Sequence, residues 1–206
     1  MRVPDDPWIY HITHVTNLAG MVADGGLWSD AGQRSRRPES VNIGYRHIKD
    51  RRMQRLVTAG GRGKLGEYVP FYFCPRSVML YVISRGSSDY SGREREIVHL
   101  VSRMSVATQG TQWAFSDRHA EVAHAEHFDD RAHLDKIQWT AVEASYWQAV
   151  KEEKQAEFLV KDFFPWHMVR FIGVRDAEIL KQVQDLLASG AGTAPPVELR
   201  PQWYYT

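Results

Sequence analysis

Apolar residues recur along the chain in short alternating runs rather than long stripes, which predicts a mixture of strands and short helices. Residues 8–14, Trp-Ile-Tyr-His-Ile-Thr-His, alternate as a strand does. Thr16 or Asn17 then reads as the N-cap of a helix over Leu18–Ala23, stopped by Gly25 and Gly26. Glu67–Phe73 predicts a strand, with Pro70 implying an edge or a bulge because proline cannot donate to a ladder. An apolar helix is expected from Ser77 to Ser84, and strands over Glu96–Ser102 and Gln112–Ser116. The His-rich stretch Asp117–His127 reads as a helix. Further strands are expected over Gln155–Lys161 and Val169–Val174. Asp176 caps an amphipathic helix through Leu187, with Gly190 as its C-cap. The linker at 192–196 leads to a last aromatic strand near Trp203-Tyr204-Tyr205.

Strands and helices follow one another without a regular βαβ alternation, so the fold class is α+β. At 206 residues one domain is expected. The stretch 30–66 breaks the pattern: it is polar, Arg-rich and punctuated by glycine, with one short helix expected around Ile48–Leu56. A connection of that length inside a domain is functional or disordered.

Composition narrows the class. Hydrophobic residues at 43% and charged ones at 25% exclude a disordered tail, a collagen-like fibre and a coiled coil. No run approaches the roughly 18 apolar residues of a membrane span, and Met1–Trp8 shows no secretory apolar region. Lone Cys74 can form neither an internal disulfide nor a multi-thiolate zinc site. A cytoplasmic protein with no membrane partner is expected.

The net charge of +1 argues at first against a polyanionic partner. It hides a division. Between Ala31 and Lys64 ten Lys and Arg residues oppose only Glu39 and Asp50, so this segment carries +8 and the rest of the chain −7. An arginine concentration of this kind is either a phosphate-binding surface or a solvated loop.

Three patterns carry less. Gly61-Arg-Gly63-Lys-Leu-Gly66 matches G-x-G-x-x-G, but a charged loop precedes it and a strand follows, so the dinucleotide-binding context is missing. Leu65 after Gly63-Lys64 also breaks the phosphate-loop pattern. His119, His124, His127 and His133, near Asp129, Asp130 and Asp135, meet no metal-ligand spacing, and a solvated helix face with no metal is expected there. The seven tryptophans read mainly as packing, with a minority available to stack on a base.

Four segments change the reading when taken in order. They are Tyr10-His11-Ile-Thr13-His14-Val-Thr-Asn17; Val41-Asn-Ile-Gly44 leading to Ile48-Lys-Asp-Arg51-Arg52; Tyr68-Val-Pro-Phe-Tyr72 through Arg76 to Met79-Leu; and Gln155-Ala-Glu157-Phe-Leu-Val. Phe115-Ser-Asp117-Arg-His119-Ala is a fifth, shorter piece. The ensemble resembles the DarT family of bacterial DNA ADP-ribosyltransferase toxins over essentially the whole chain. The resemblance implies an ADP-ribosyltransferase fold, a split pair of mixed sheets around an NAD cleft, with residues 31–66 as a basic insertion contacting NAD and DNA. It implies transfer of ADP-ribose from NAD to a base, commonly thymidine, in single-stranded DNA. It further implies pairing with the macrodomain antitoxin DarG. Matched by position, Glu157 falls on the catalytic glutamate and Arg51 on the essential arginine, with Arg52 the alternative because loop length varies there. His11, Thr13, His14, Asn17, Gly44 and Arg51 fall at the NAD. Tyr72, Arg76, Met79, His119, Lys151 and Lys154 are expected at the DNA.

The chemistry wants such residues. Breaking the nicotinamide–ribose bond develops positive charge on the sugar, as in glycoside hydrolysis, and a fixed carboxylate stabilises that cation. A guanidinium matches pyrophosphate oxygens. The ring nitrogen of thymine must lose a proton as it attacks, with Arg51, Glu157 or the substrate itself as the acceptor. Two rivals remain at this point: an enzyme of the same fold acting on RNA or a tRNA 2′-phosphate, and a non-catalytic nucleic-acid-binding module.

Overall fold

A computed structural model of the protein describes residues 2–36, 39–86, 89–188 and 194–205. In chain order it contains β1 (Trp8–His14), α1 (Leu18–Ala23), β2 (Gly26–Trp28), α2 (Asp30–Arg36), α3 (Arg46–Arg52), β3 (Leu56–Val57), β4 (Gly63–Lys64) and β5 (Tyr68–Tyr72). There follow α4 (Val78–Ser84), β6 (Ile97–Arg103), α5 (Met104–Ala107), β7 (Trp113–His119), β8 (His127–Phe128) and α6 (Trp139–Glu143). The last elements are β9 (Ala156–Lys161), β10 (Phe163–Pro165), β11 (Phe171–Val174), α7 (Ala177–Ala188) and β12 (Val197–Leu199).

Eight strands form one mixed sheet in the order β12-β11-β6-β1-β5-β9-β7-β8. Only β11 and β12 run parallel. The middle of this sheet is nearly divided. β1 pairs with β6 through seven residues but meets β5 at the single position Tyr10↔Tyr72. Beyond it the two strands splay, and the His11 imidazole spans the gap to the Pro70 carbonyl at 2.8 Å. Pro70 therefore sits on a central strand, yet its missing N–H faces the opening where no ladder bond is needed.

The two-residue alternation of β9 fixes what each face receives. Ala156, Phe158 and Val160 enter the main core, while Leu159 packs in a small cluster with Val57, Leu65 and Tyr68. Glu157 shares the Leu159 face, and a one-residue slip would bury its carboxylate in the apolar core. A further cluster of Ile12, Ile43, Leu80, Ile83 and Ile97 gathers α4 and the 43 loop against β1 and β6.

Several expected elements differ. The 30–66 stretch holds α2 as well as α3, and Gly61–Gly66 belongs to the β3–β4 hairpin and the turn after it. Asn17 does not cap α1 with its side chain; its amide is spent elsewhere. Asp117–His127 is not a helix. β7 continues to His119, and the Asp117 carboxylate accepts from the Glu126 N–H at 2.9 Å, folding the intervening residues back towards β8. The aromatic end is a 3-10 turn, Pro201–Trp203, because Pro201 ends strand pairing and the rings turn inward. Trp203 packs edge-on to Tyr10, and the Tyr204 hydroxyl donates to the Ile97 carbonyl at 2.8 Å. Asp176 caps α7 through the Glu178 and Ile179 N–H groups, while Gly190 lies outside the described residues.

One core residue couples this packing to pH. His99 is wholly buried on β6, donates through Nε2 to the Pro75 carbonyl at 3.0 Å, and has no partner at Nδ1. Burial pushes its pKa down to about 4. The unfolded chain binds that proton near pH 6.5 and the native state does not, so stability falls as pH drops from 6.5 towards 4. By pH 5 the loss is about 2 kcal/mol, at 1.36 kcal/mol per unit. Urea unfolding of wild type and His99→Gln at pH 7 and pH 5 should show a loss larger by about this amount in wild type; equal losses would contradict it.

Candidate active site

The opening between β1 and β5 is a cleft of about 590 Å³, within the usual range for small-molecule sites. Its walls come from β1, the α1 region, α2, α3, β5, α4 and β9. At its floor lies a buried ion pair. Arg52, 7% exposed, directs Nη1 at both carboxylate oxygens of Glu157, 2% exposed, at 3.1 and 2.9 Å. Glu157 Oε1 also accepts the Ala120 N–H at 3.1 Å, and His119 Nε2 stands 3.8 Å from the same oxygen. The Glu157 N–H donates to Ser116 Oγ at 3.1 Å, which locks the strand beneath the side chain.

The electrostatics follow from this geometry. Burial alone would raise the Glu157 carboxyl, but the Arg52 guanidinium and its hydrogen bonds more than offset that and hold it below the usual carboxylate range. Burial likewise disfavours charge on Arg52, yet Glu157 and Asp30 keep it more firmly protonated than a free arginine. Both ions are charged at neutral pH. The Nη2 nitrogen of Arg52 has no hydrogen-bond partner. Burial lowers the pKa of His11 and of His119, so both imidazoles are neutral at pH 7. Since Pro70 O can only accept, His11 carries its proton on Nδ1 and leaves Nε2 as an acceptor.

The expected NAD residues separate into groups. His11, Thr13, Asn17 and Gly44 line the cleft. Asn17 works by tethering: its amide exchanges two 2.9 Å bonds with the Val41 backbone and donates to Thr13 Oγ1 at 3.1 Å. That holds the 41–44 loop at the rim, where a Cβ on Gly44 would meet Met79 at 3.4 Å. His14 lies elsewhere. One residue beyond Thr13, it points to the opposite face, accepts from Thr16 N at 3.2 Å and approaches Glu96 at 3.7 Å.

The two arginines also part. Consecutive residues near the end of α3 point in different directions, and it is Arg52 that reaches Glu157. Arg51 stays at the surface, 54% exposed, forked onto Glu121 at 2.6 and 3.2 Å. Expected DNA residues Tyr72, Met79, His119 and Lys151 line the cleft. Arg76 and Lys154 do not; they line a second cavity of about 470 Å³. Arg76 is exposed and stacks over Tyr205 at 4.4 Å. Lys154 is 3% exposed, its ammonium held by the Val142 carbonyl at 2.7 Å and near Cys74 Sγ at 3.6 Å. It is a buried structural residue rather than the phosphate-facing surface lysine that the resemblance implied.

Sequence reading missed Asp30 and Lys49, which pair at 2.7 Å inside the cleft. The one signal was that Asp30 stands next to a segment short of acids. The histidine group disperses: His124 meets Glu152 at 3.0 Å and His133 packs on Phe128. Among the described residues no three His, Cys, Asp or Glu side chains are placed to hold a metal. No described helix is long and apolar enough to cross a membrane.

Removing one partner of the buried pair should reverse the response to acid. In wild type the depressed Glu157 pKa contributes stability above the ordinary carboxylate range, lost as pH falls through the folded value. Arg52→Met strands the carboxylate, at a cost of about 3–5 kcal/mol at pH 7.5, and raises its pKa. Its urea stability should then approach wild type between pH 7.5 and 5. A constant gap across that range would contradict the arrangement.

Known proteins place this geometry. The family described as "ssDNA thymidine ADP-ribosyltransferase, DarT" matches residues 10–205. A DNA ADP-ribosyl transferase of Thermus aquaticus is 49% identical over 207 residues, covering 100% of this chain and 92% of the relative. The structure of Thermus sp. 2.9 DarT in complex with ADP-ribosylated ssDNA superposes with a TM-score of 0.93 at 38% identity, covering 98% of both chains. The same Thermus sp. 2.9 protein in complex with NAD+ gives a TM-score of 0.89 at 37% identity, over 98% of this chain and 99% of that one.

Proposed function

The chain belongs to the DarT family of ssDNA thymidine ADP-ribosyltransferases, and on that premise we propose that the Arg52–Glu157 pair is its reactive centre. The enzyme uses NAD to ADP-ribosylate thymidine in single-stranded DNA. In this reading NAD lies along His11, Thr13 and Gly44, with Asn17 holding the loop at the rim. The bond between the ribose and the nicotinamide nitrogen breaks, its electron pair leaving with nicotinamide. Glu157, charged and immobile, stands by the ribose as positive charge develops. A ring nitrogen of the thymine then forms the new bond to that carbon and gives up its proton.

Arg52 replaces Arg51 as the proposed essential arginine. The observation that carries this is the 2.9 Å contact with Glu157, together with the unpartnered Nη2 at the floor of the cleft. It keeps Glu157 ionised, and its buried Nη2 keeps one donor unspent. An arginine does not release its proton, so the neutral imidazole of His119 is the acceptor for the thymine proton. Tyr72, Met79 and Lys151 border the base. Arg76, on the second cavity, stays a proposed phosphate contact for the strand beyond it. Lys154 supports that cavity from within.

The same proposal takes the whole chain as one catalytic unit with residues 31–66 as its NAD- and DNA-contacting segment. It makes the protein the toxin of a cytoplasmic toxin–antitoxin pair whose partner is the macrodomain protein DarG.

Incubation with NAD and matched DNA and RNA oligonucleotides, followed by mass spectrometry, tests the site. A thymidine-containing DNA single strand should gain one ADP-ribose and the RNA none. Glu157→Gln should lower the rate by about 10²- to 10³-fold or more, the scale of losing one electrostatic stabiliser. Undiminished transfer by that variant would remove Glu157 from the reaction.

A further inference from the structure

α3 is a helix with almost nothing apolar to hold it. Of its seven residues only Arg52 is buried. Its position is instead set by polar links: the Arg46 N–H at its start donates to the Asp89 carboxylate at 2.7 Å, and its side-chain links run in two directions. Lys49–Asp30 and Arg34–Asp50 tie it to α2, within the same basic segment. The links to the sheet half that carries Glu157 are Arg52–Glu157 itself and a second contact one residue away. There the Arg51 guanidinium forks onto the Glu121 carboxylate at 2.6 and 3.2 Å, and Arg55 Nε donates to the Glu121 carbonyl at 2.9 Å.

Glu121 is well placed to receive them. Its carboxylate is only 12% exposed, although Arg51 is half in solvent. It follows Ala120, whose N–H binds Glu157, and His119, which pairs with Ala156 across β7 and β9. Residues 119–121 thus touch the catalytic carboxylate with one side and the helix carrying Arg52 with the other. A two-point guanidinium–carboxylate fork fixes orientation as well as distance, which a single exposed charge contact does not.

We propose that Arg51 and Glu121 form a positioning pair that docks α3 on the 119–121 turn, so that the guanidinium of Arg52 meets Glu157 in reactive geometry. Neither touches the substrate. The inference rests on the Arg52–Glu157 reading of the site. It also accounts for the closeness of Arg51 to the chemistry without placing it in the cleft.

A double-mutant cycle on thymidine transfer decides the matter, with Arg51→Ala, Glu121→Gln and the two combined, each assayed for kcat, for KM with NAD and for thermal unfolding. Each single variant should lower kcat by about 10- to 100-fold, the cost of misplacing a reactive group, with KM for NAD within about twofold and the melting temperature little changed. The double variant should lose no more than either single one. Loss in Arg51→Ala with Glu121→Gln intact would overturn the proposal and put Arg51 on the substrate. Multiplying losses, or wild-type kcat in both, would overturn it too. Glu157→Gln in the same assay keeps the two readings apart: if that variant is active, the reading of the site has failed, whatever the cycle shows.

Discussion

The fold is organised around a buried ion pair that is costly to keep. Arg52 and Glu157 come from elements 105 residues apart and meet where water is excluded. Taking two such charges out of water costs several kcal/mol per ion before their attraction is counted. An apolar pair of the same volume would serve stability as well or better. On the proposed reading the pair is retained because it supplies chemistry: a carboxylate that stays ionised although buried, and a guanidinium with a donor unspent. The supporting features follow from that requirement. β9 needs Phe158 and Val160 in the core to hold Glu157 on the other face. β1 and β5 must part after one register pair so that the cleft can form. The turn at Ala120 must give its N–H to the carboxylate.

Ion pairs of this kind account for much of the uneven distribution of charge. A segment at +8 and a remainder at −7 suggested a cationic patch awaiting a polyanion. Much of that charge is instead used inside the molecule. Arg34, Lys49, Arg51 and Arg52 each meet a carboxylate, and Arg36 stacks on Trp28 at 3.9 Å. Ion pairs do for α2 and α3 what apolar burial does for the rest of the fold. Arg46, Arg62 and Lys64 stay exposed, leaving a smaller surface for phosphates than the count implied.

Where a local rule governs the structure, the sequence was legible. Apolar runs located β1, β5, β6, β9, β11 and α4, and Asp176 announced α7 by capping. Motif order identified the family and placed Glu157, His11 and Thr13 on the cleft. The failures share a cause. Whether Arg51 or Arg52 faces inward is a rotation of α3 of about 100°, and that is set by Glu121, 70 residues away. Lys154 was expected at the DNA, but the Val142 carbonyl takes its ammonium into the interior. The 117–127 stretch looked helical because the partner of Asp117 is a backbone N–H that composition does not reveal. Pro70 was read as marking an edge or a bulge, and it sits beside a gap inside the sheet.

The central claim is that Arg52, by its contact with Glu157, is the arginine on which transfer depends. The most direct measurement is the rate of ADP-ribose transfer to a thymidine-containing single strand by Arg52→Lys, at saturating NAD, beside Arg51→Lys. A lysine keeps the charge but cannot reach both Glu157 and the substrate, so Arg52→Lys should be the more damaged by at least about tenfold, given what planar two-sided recognition requires. Near wild-type transfer by Arg52→Lys, with Arg51→Lys inactive, would contradict the account.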